Sequence, residues 1–302
     1  MADPSHDAGG WTIRPVPPTP RSIVESIRGG TLDAGLAATL WVLIEARVPF
    51  IVAADAPGTG ASTLLETLLE FLPDRVQRVD LAGAAESFEW LPQASELGWP
   101  GTAHAGDGPP VRPDSTVLVA AALSDDLPAY TWGERARIAV RATAIGYGLA
   151  ATIRADSLDE VLDGLGRPPV ALTDDEVSFL GCVLILRRVD GARRRVVAAH
   201  YVRPTVRDAH GHTQRLGPAV LATWDPARDA FEDFSWGIAP ELAFRIGWRP
   251  GDLELEVRRR RGLLAGLAMD GIVEIGAVRA AIRHAMATSI ARSPQAAAPD
   301  RG

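Results

Sequence analysis

The chain has no lysine and no asparagine, and all 31 of its basic residues are arginine. Without lysine it can run no Schiff-base chemistry, anchor no pyridoxal phosphate and place no lysine in a phosphate-binding loop. Its single cysteine, Cys182, excludes an internal disulfide and fits a reducing compartment. Positive charge is in short supply. The 31 basic residues face 38 acidic ones, giving a formal net charge of −7, so no direct nucleic-acid binding is expected. Long apolar runs are also missing. The most apolar stretch, 36–54, is broken by Glu45 and Arg47, and the opening MADPSHDAGGW is polar. Neither a transmembrane segment nor a signal peptide is expected, and the expected location is the cytoplasm.

What is present is enough for a sizeable core: 302 residues, 47% hydrophobic, the size of one large or two ordinary domains. Residues 1–20 carry Pro15, Pro17, Pro18 and Pro20 without periodicity, and 291–302 look equally loose; both are expected to be disordered tails. Between them, helical spacing over 31–48 precedes a short apolar run, Pro49 to Ala54, with the character of a buried strand. A Gly-containing turn and a helix ending near Pro73 follow. Further strands are predicted at 78–81, 116–123 and 149–153, with a helix over 131–145. This alternation predicts an α/β core over 21–166 with a mostly parallel sheet covered on both faces. From 167 to 290 the pattern becomes α+β. Asp190-Gly191 marks a hairpin between 182–189 and 192–202, short strands follow at 224–234, and 252–286 read as helix.

The turn at Asp55-Ala-Pro-Gly-Thr-Gly-Ala-Ser-Thr63 joins a strand to a helix, the setting a phosphate-binding loop needs. Backbone N–H groups of such a turn point at phosphate oxygens, and the helix N-terminus adds its dipole. Against G-x-x-x-x-G-K-[ST], the last glycine is Gly60 and the hydroxyl is Ser62. The first glycine is replaced by Asp55 and the lysine by Ala61. Candidate nucleotide contacts are therefore Gly58, Thr59, Gly60, Ala61, Ser62 and Thr63. An ordinary strand-to-helix turn that uses glycine for backbone freedom is the competing reading.

Several segments, in order, resemble the motor domain of the type II/IV secretion ATPases. The helix Leu40 to Arg47, the strand and PGTGASTLLETLL resemble that family's Walker A region. Arg112-Pro-Asp114 with the strand 117–122 resembles its Walker B region, and Gly146 to Ser157 its histidine box. The resemblance implies a RecA-like P-loop NTPase core, ATP and Mg²⁺ as cofactors, a hexameric ring, and attachment to the inner-membrane platform of a secretion or pilus machine. Each motif lacks its chemical group. The Walker B acid falls at Ala120 or Ala122, with Asp125 and Asp126 the next acids. Arg154 replaces a histidine of the box, Tyr147 replaces another, and the acidic box is reduced to Asp80 and Glu86. About 20 residues precede the motor, where the family carries a whole N-terminal domain. By this resemblance Ser62 and Asp125 are the candidate metal contacts, and Arg154 the candidate cation near the phosphates.

Losing charge stabilisation at a phosphoryl-transfer site costs roughly 10²- to 10⁵-fold in rate. The expectation is a catalytically impaired, nucleotide-binding subunit of a secretion or pilus machine. The alternatives are an active hydrolase using substituted residues, and a nucleotide-independent structural subunit paired with an active paralogue. Elsewhere, His210-Gly-His212 with Asp208 reads as a solvated loop, and Cys182 as a packed small residue. The arginine runs 193–195 and 258–261 read as solvated faces of a hairpin and a helix. The tryptophans read as core or subunit contacts.

Overall fold

The computed structural model describes residues 20–101, 111–191, 193–207 and 213–289. The expected tails, apart from Pro20, and the His210-Gly-His212 group lie outside these residues. Helix α1 (Ile23–Arg28) begins at Ser22, whose hydroxyl accepts from the Glu25 amide, and α2 (Ala34–Glu45) begins at Asp33, whose carboxylate accepts from Leu36 N. Both satisfy an amide that the first helical turn leaves unpaired. Helix α2 is buried along almost its whole length, so it needs no polar face. Arg47 then turns the chain in the left-handed region, and β1 (Phe50–Ala54), buried at every residue, follows.

The parallel part of the sheet comprises β1, β2 (Gln77–Asp80), β3 (Thr116–Leu123), β4 (Gly148–Arg154) and β5 (Cys182–Val189). β5 pairs antiparallel with β6 (Arg193–Tyr201), which pairs with β9 (Ala219–Asp225), and β9 with β10 (Ala230–Asp233). The order is β10-β9-β6-β5-β1-β4-β3-β2. A separate two-stranded ribbon joins β7 (Val206–Arg207) to β8 (Thr213–Gln214). The expected α/β class and mostly parallel sheet are therefore present. The regions 21–166 and 167–290 share that sheet, since β5 pairs directly with β1.

Alternation along the central strands divides the core in two. Phe50, Val52, Leu184 and Leu186 face one layer, with α2, α3 (Ala61–Leu69), α8 (Pro250–Met269) and α9 (Ile275–Ala287). Ile51, Ala53, Val183 and Ile185 face the other, with α4 (Glu134–Ala144), α5 (Leu158–Gly166) and α6 (Asp174–Val177). Each fully buried aliphatic chain of this kind contributes about 1.5–3 kcal/mol. A short helix, α7 (Ala239–Arg245), packs on the first layer.

The helical stretch expected over 252–286 is two helices, because Gly271 turns left-handed (φ 70°) between α8 and α9. The two arginine runs are not uniformly solvated either. Arg260 and Arg195 are buried, at 1% and 4% exposure. Arg260 faces the core because α8 packs along α2, and Glu256 and Glu45 supply its counter-charges. Arg195 is held by Asp229 and the Gly29 carbonyl.

Candidate functional site

Helix α3 follows β1 into the first layer, whereas α5 follows the neighbouring β4 into the second. Adjacent parallel strands whose helices leave to opposite faces open a crevice at their carboxyl ends, where ligands of open α/β sheets bind. Here that crevice is a cleft of about 390 Å³. Its walls come from Ala54 at the end of β1, Ala122 of β3, Thr152 and Arg154 of β4, and the whole turn from Ala56 to Thr63.

The turn has the backbone that its glycines permit. Gly58 (φ 77°) and Gly60 (φ 101°) are both left-handed, and Gly60 is the residue from which α3 starts. Thr59, buried between them, donates its hydroxyl to the Ala56 carbonyl at 2.7 Å and braces the turn. No side chain caps α3. Its first-turn N–H groups, with the positive end of the helix dipole, border the cleft.

The structure brings together all seven of the expected contacts, Gly58, Thr59, Gly60, Ala61, Ser62 and Thr63 on the turn and Arg154 at the tip of β4. Arg154 lies 3.8 Å from Asp126, which also lines the cleft. Asp125 is exposed on the same turn and forms no part of the wall. Of the two positions for the missing acid, Ala122 reaches the cleft and Ala120 is fully buried. Thr152 donates to the Ala121 carbonyl at 2.6 Å and so ties the ends of β3 and β4.

The other family-like positions are structural. Tyr147 is buried before the first residue of β4, with its hydroxyl donating to the Val111 carbonyl. That places it roughly 20 Å of strand away from Arg154. The Glu86 carboxylate accepts from Ala82 N, Phe88 N and the Trp90 indole, which fixes a buried turn rather than reaching the cleft. Asp80 pairs with Arg78, whose guanidinium is raised further above its ordinary range mainly by the hydrogen bonds it donates to Glu66.

Two residues that line or overhang the loop were not foreseen from the sequence. Arg188 and Arg194, from the β5–β6 hairpin, both donate to the Gly58 carbonyl, at 2.8 and 3.5 Å. The hairpin signal at Asp190-Gly191 placed the strands correctly; no local pattern says that their arginines fold back over a loop far upstream.

Among the described residues, no group of three or more His, Cys, Asp or Glu side chains comes together to hold a metal ion. None of the helices formed by these residues is long and apolar enough to cross a membrane. Comparison with protein-family models and with curated proteins finds no match to this chain.

Proposed function

We propose that the cleft binds the phosphates of a nucleotide and that the chain is a divergent, catalytically impaired relative of the RecA-like secretion and pilus-assembly ATPases. One observation carries the phosphate reading: two left-handed glycines lead into an uncapped helix N-terminus at the carboxyl end of β1, with arginines over them. Amides and cations converging on one open cavity suit an anion. The exposed Asp55 carboxylate on the same turn opposes it, so affinity is expected to be weaker than in an intact loop.

The residues fit the nucleotide's phosphates better than they fit a resident metal. ATP, when bound, supplies the phosphoryl chain. The first-turn amides of α3 would bind it, and Arg154 and Arg194 would offset its charge. Mg²⁺ in this reading arrives with the nucleotide, with the Ser62 hydroxyl as the protein oxygen at the motif position. With Ala122 where an acid is needed, no side chain at the end of β3 is placed to take a proton from water. The secretion or pilus machine, the ring of paralogues and the cytoplasmic position beside an inner-membrane platform rest on the ordered motif resemblance.

An active hydrolase is the second reading, favoured by the Asp126–Arg154 pair inside the cleft. Calorimetric titration with ATP and Mg²⁺, with phosphate release followed in the same samples, separates the readings. Binding without release supports the impaired subunit. Release abolished by Asp126→Ala and Ser62→Ala points to the hydrolase, and absence of any binding overturns the nucleotide reading.

A further inference from the structure

From Asp55 to Asp74 the chain has no basic residue, so any positive charge at the loop must come from elsewhere in the fold. Besides Arg154 at the tip of β4, the structure brings it from the β5–β6 hairpin. Arg188 and Arg194 face each other directly in the hairpin register. Arg194 lies on the helix start itself: a Cβ added at Gly60 would stand 3.0 Å from its Cδ and Nε. At Gly58 an added Cβ would stand 3.5 Å from Arg188 Nη2.

Like charges directly opposite each other in a hairpin are destabilising unless something compensates them. Nearby arginines are compensated. Arg187 pairs with Asp156, Arg193 with Asp190 and Asp229, and Arg195 with Asp229. Among the described residues no carboxylate pairs with Arg188 or Arg194, and their hydrogen bonds go only to the Gly58 carbonyl. The Arg194 Nε is also buried without an acceptor. A buried, unmet N–H of a charged group carries a penalty that an incoming acceptor removes. Uncompensated charge, an unmet donor and an adjoining open cavity are separate observations, and all three are resolved by an anion.

We propose that Arg194, with Arg188 beside it, is the phosphate-binding cation of this cleft, doing from the hairpin what Ala61 cannot do from the loop, and that the pair selects a polyphosphate chain. The ligand class is a nucleoside di- or triphosphate, in preference to a monophosphate or a nucleoside. Guanidinium suits the task, since its planar fork can hold two oxygens of one phosphate or bridge two phosphates. The inference rests on the phosphate reading of the cleft.

The test measures binding of ATP, ADP, AMP and inorganic tripolyphosphate by calorimetry to the wild type, Arg194→Gln, Arg188→Gln and the double variant. Arg193→Gln, on the same hairpin but paired with acids, is the control. Each single cleft variant is expected to weaken ATP and tripolyphosphate about tenfold or more, from the worth of one hydrogen bond to a charged group. AMP should change little, and Arg193→Gln should leave all four ligands unchanged. Ala61→Lys in the Arg194→Gln background should recover part of the lost ATP affinity, which a merely structural role for Arg194 would not allow. Wild type that binds ATP, with a double variant within twofold of it, overturns this inference and leaves the nucleotide reading standing. Wild type that binds tripolyphosphate through the two arginines but no nucleotide overturns the nucleotide reading and keeps the inference. Wild type that binds neither overturns both. If the glutamine variants do not fold, Arg194→Lys and Arg188→Lys replace them: affinities for all four ligands falling together, AMP included, would likewise overturn the inference.

Discussion

The Arg260 guanidinium lies 4.6 Å from the centre of the Trp41 ring, both side chains fully buried where α8 packs along α2. Trp41 in turn stacks on Phe71, just beyond the end of α3, with ring centres 5.2 Å apart. Arg260 reaches Glu256 at 2.8 Å and Glu45 at 2.7 Å. The helix that begins at the Gly-rich turn is thus fastened at its far end, through two aromatic rings, to a cation held by two acids. Burying a charge is costly unless it is paired, and this cluster links a residue of the last third of the chain to the frame of the cleft.

Removing that cation should unfold the chain more readily. Arg260→Ala leaves Glu45 without its partner and takes away the cover of Trp41, while Glu256 keeps only Arg259. The expected loss is about 3–5 kcal/mol, the range for breaking a buried ion pair by deleting one partner. Urea unfolding followed by tryptophan fluorescence measures it. A loss below about 1 kcal/mol would mean that the pairing is not what holds α8 on α2. Replacing Arg260, Glu256 and Glu45 together by apolar residues should cost less than the single change, because Glu45 no longer stands unpaired and Arg259, which loses Glu256, is partly exposed to water.

Gly60 meets two demands at once. Its φ of 101° is strained for any L side chain, and an added Cβ would press on the Arg194 stem at 3.0 Å. Gly60→Ala is expected to cost about 1–2 kcal/mol of stability from the backbone alone. It should also displace Arg194 and weaken polyphosphate binding. Gly262→Ala is the control, since it lies in the interior of α8 where an added Cβ meets nothing; it should leave binding unchanged. Equal ligand affinity in wild type and Gly60→Ala would show that the loop can relax around a methyl group.

Burial pushes the Cys182 thiol up to about 12, and the side chain is 1% exposed in β5. A thiol so far from ionising offers almost no thiolate at neutral pH. Iodoacetamide at pH 8 should therefore leave Cys182 unmodified in the folded protein and alkylate it only as urea opens the sheet. Stoichiometric labelling without denaturant, read by mass spectrometry, would contradict the packed role.

Much of this architecture is legible from residue patterns, and the reasons differ by element. The apolar runs Phe50–Ala54 and 117–119 read as interior strands, and Asp190-Gly191 adopts the left-handed pair (φ 46° and 73°) that a tight hairpin needs. The glycine turn is recognisable because its spacing lies between a strand and a helix. Long-range pairing is not legible. Arg194 and Arg195 are neighbours in an identical-looking run, yet one overhangs Gly60 and the other is sequestered by Asp229 and Gly29. That division is set by where β6 meets β5 and β9, with register shifts at Ile185/Leu186 and Ala199/His200. In the same way Arg260 is distinguished from Arg258, Arg259 and Arg261 only by the face of α8 that meets α2. A run of one residue type carries no periodic contrast, so the pattern cannot say which member is buried.

Acid should loosen the hairpin that carries the cleft arginines. Hydrogen bonds from Arg195 and the Trp224 indole, followed by the charges of Arg195 and Arg193, hold the Asp229 carboxyl at about 2, against an ordinary value of 3.8. Because the folded value is the lower one, the unfolded chain takes up protons first as pH falls. The contribution of Asp229 is therefore complete above about 3.8 and is lost as pH drops through that value toward 2. Asp229→Asn removes this part of the acid sensitivity, so the difference in thermal midpoint between wild type and variant should be constant from pH 7 to pH 5 and shrink below pH 4. A carboxyl carbon titration by NMR reads the same group directly. A midpoint near 4 in the folded protein, or a difference between the two proteins that stays constant down to pH 2, would show that Asp229 does not hold Arg195. The root of the hairpin would then have to be sought in its contacts with β9.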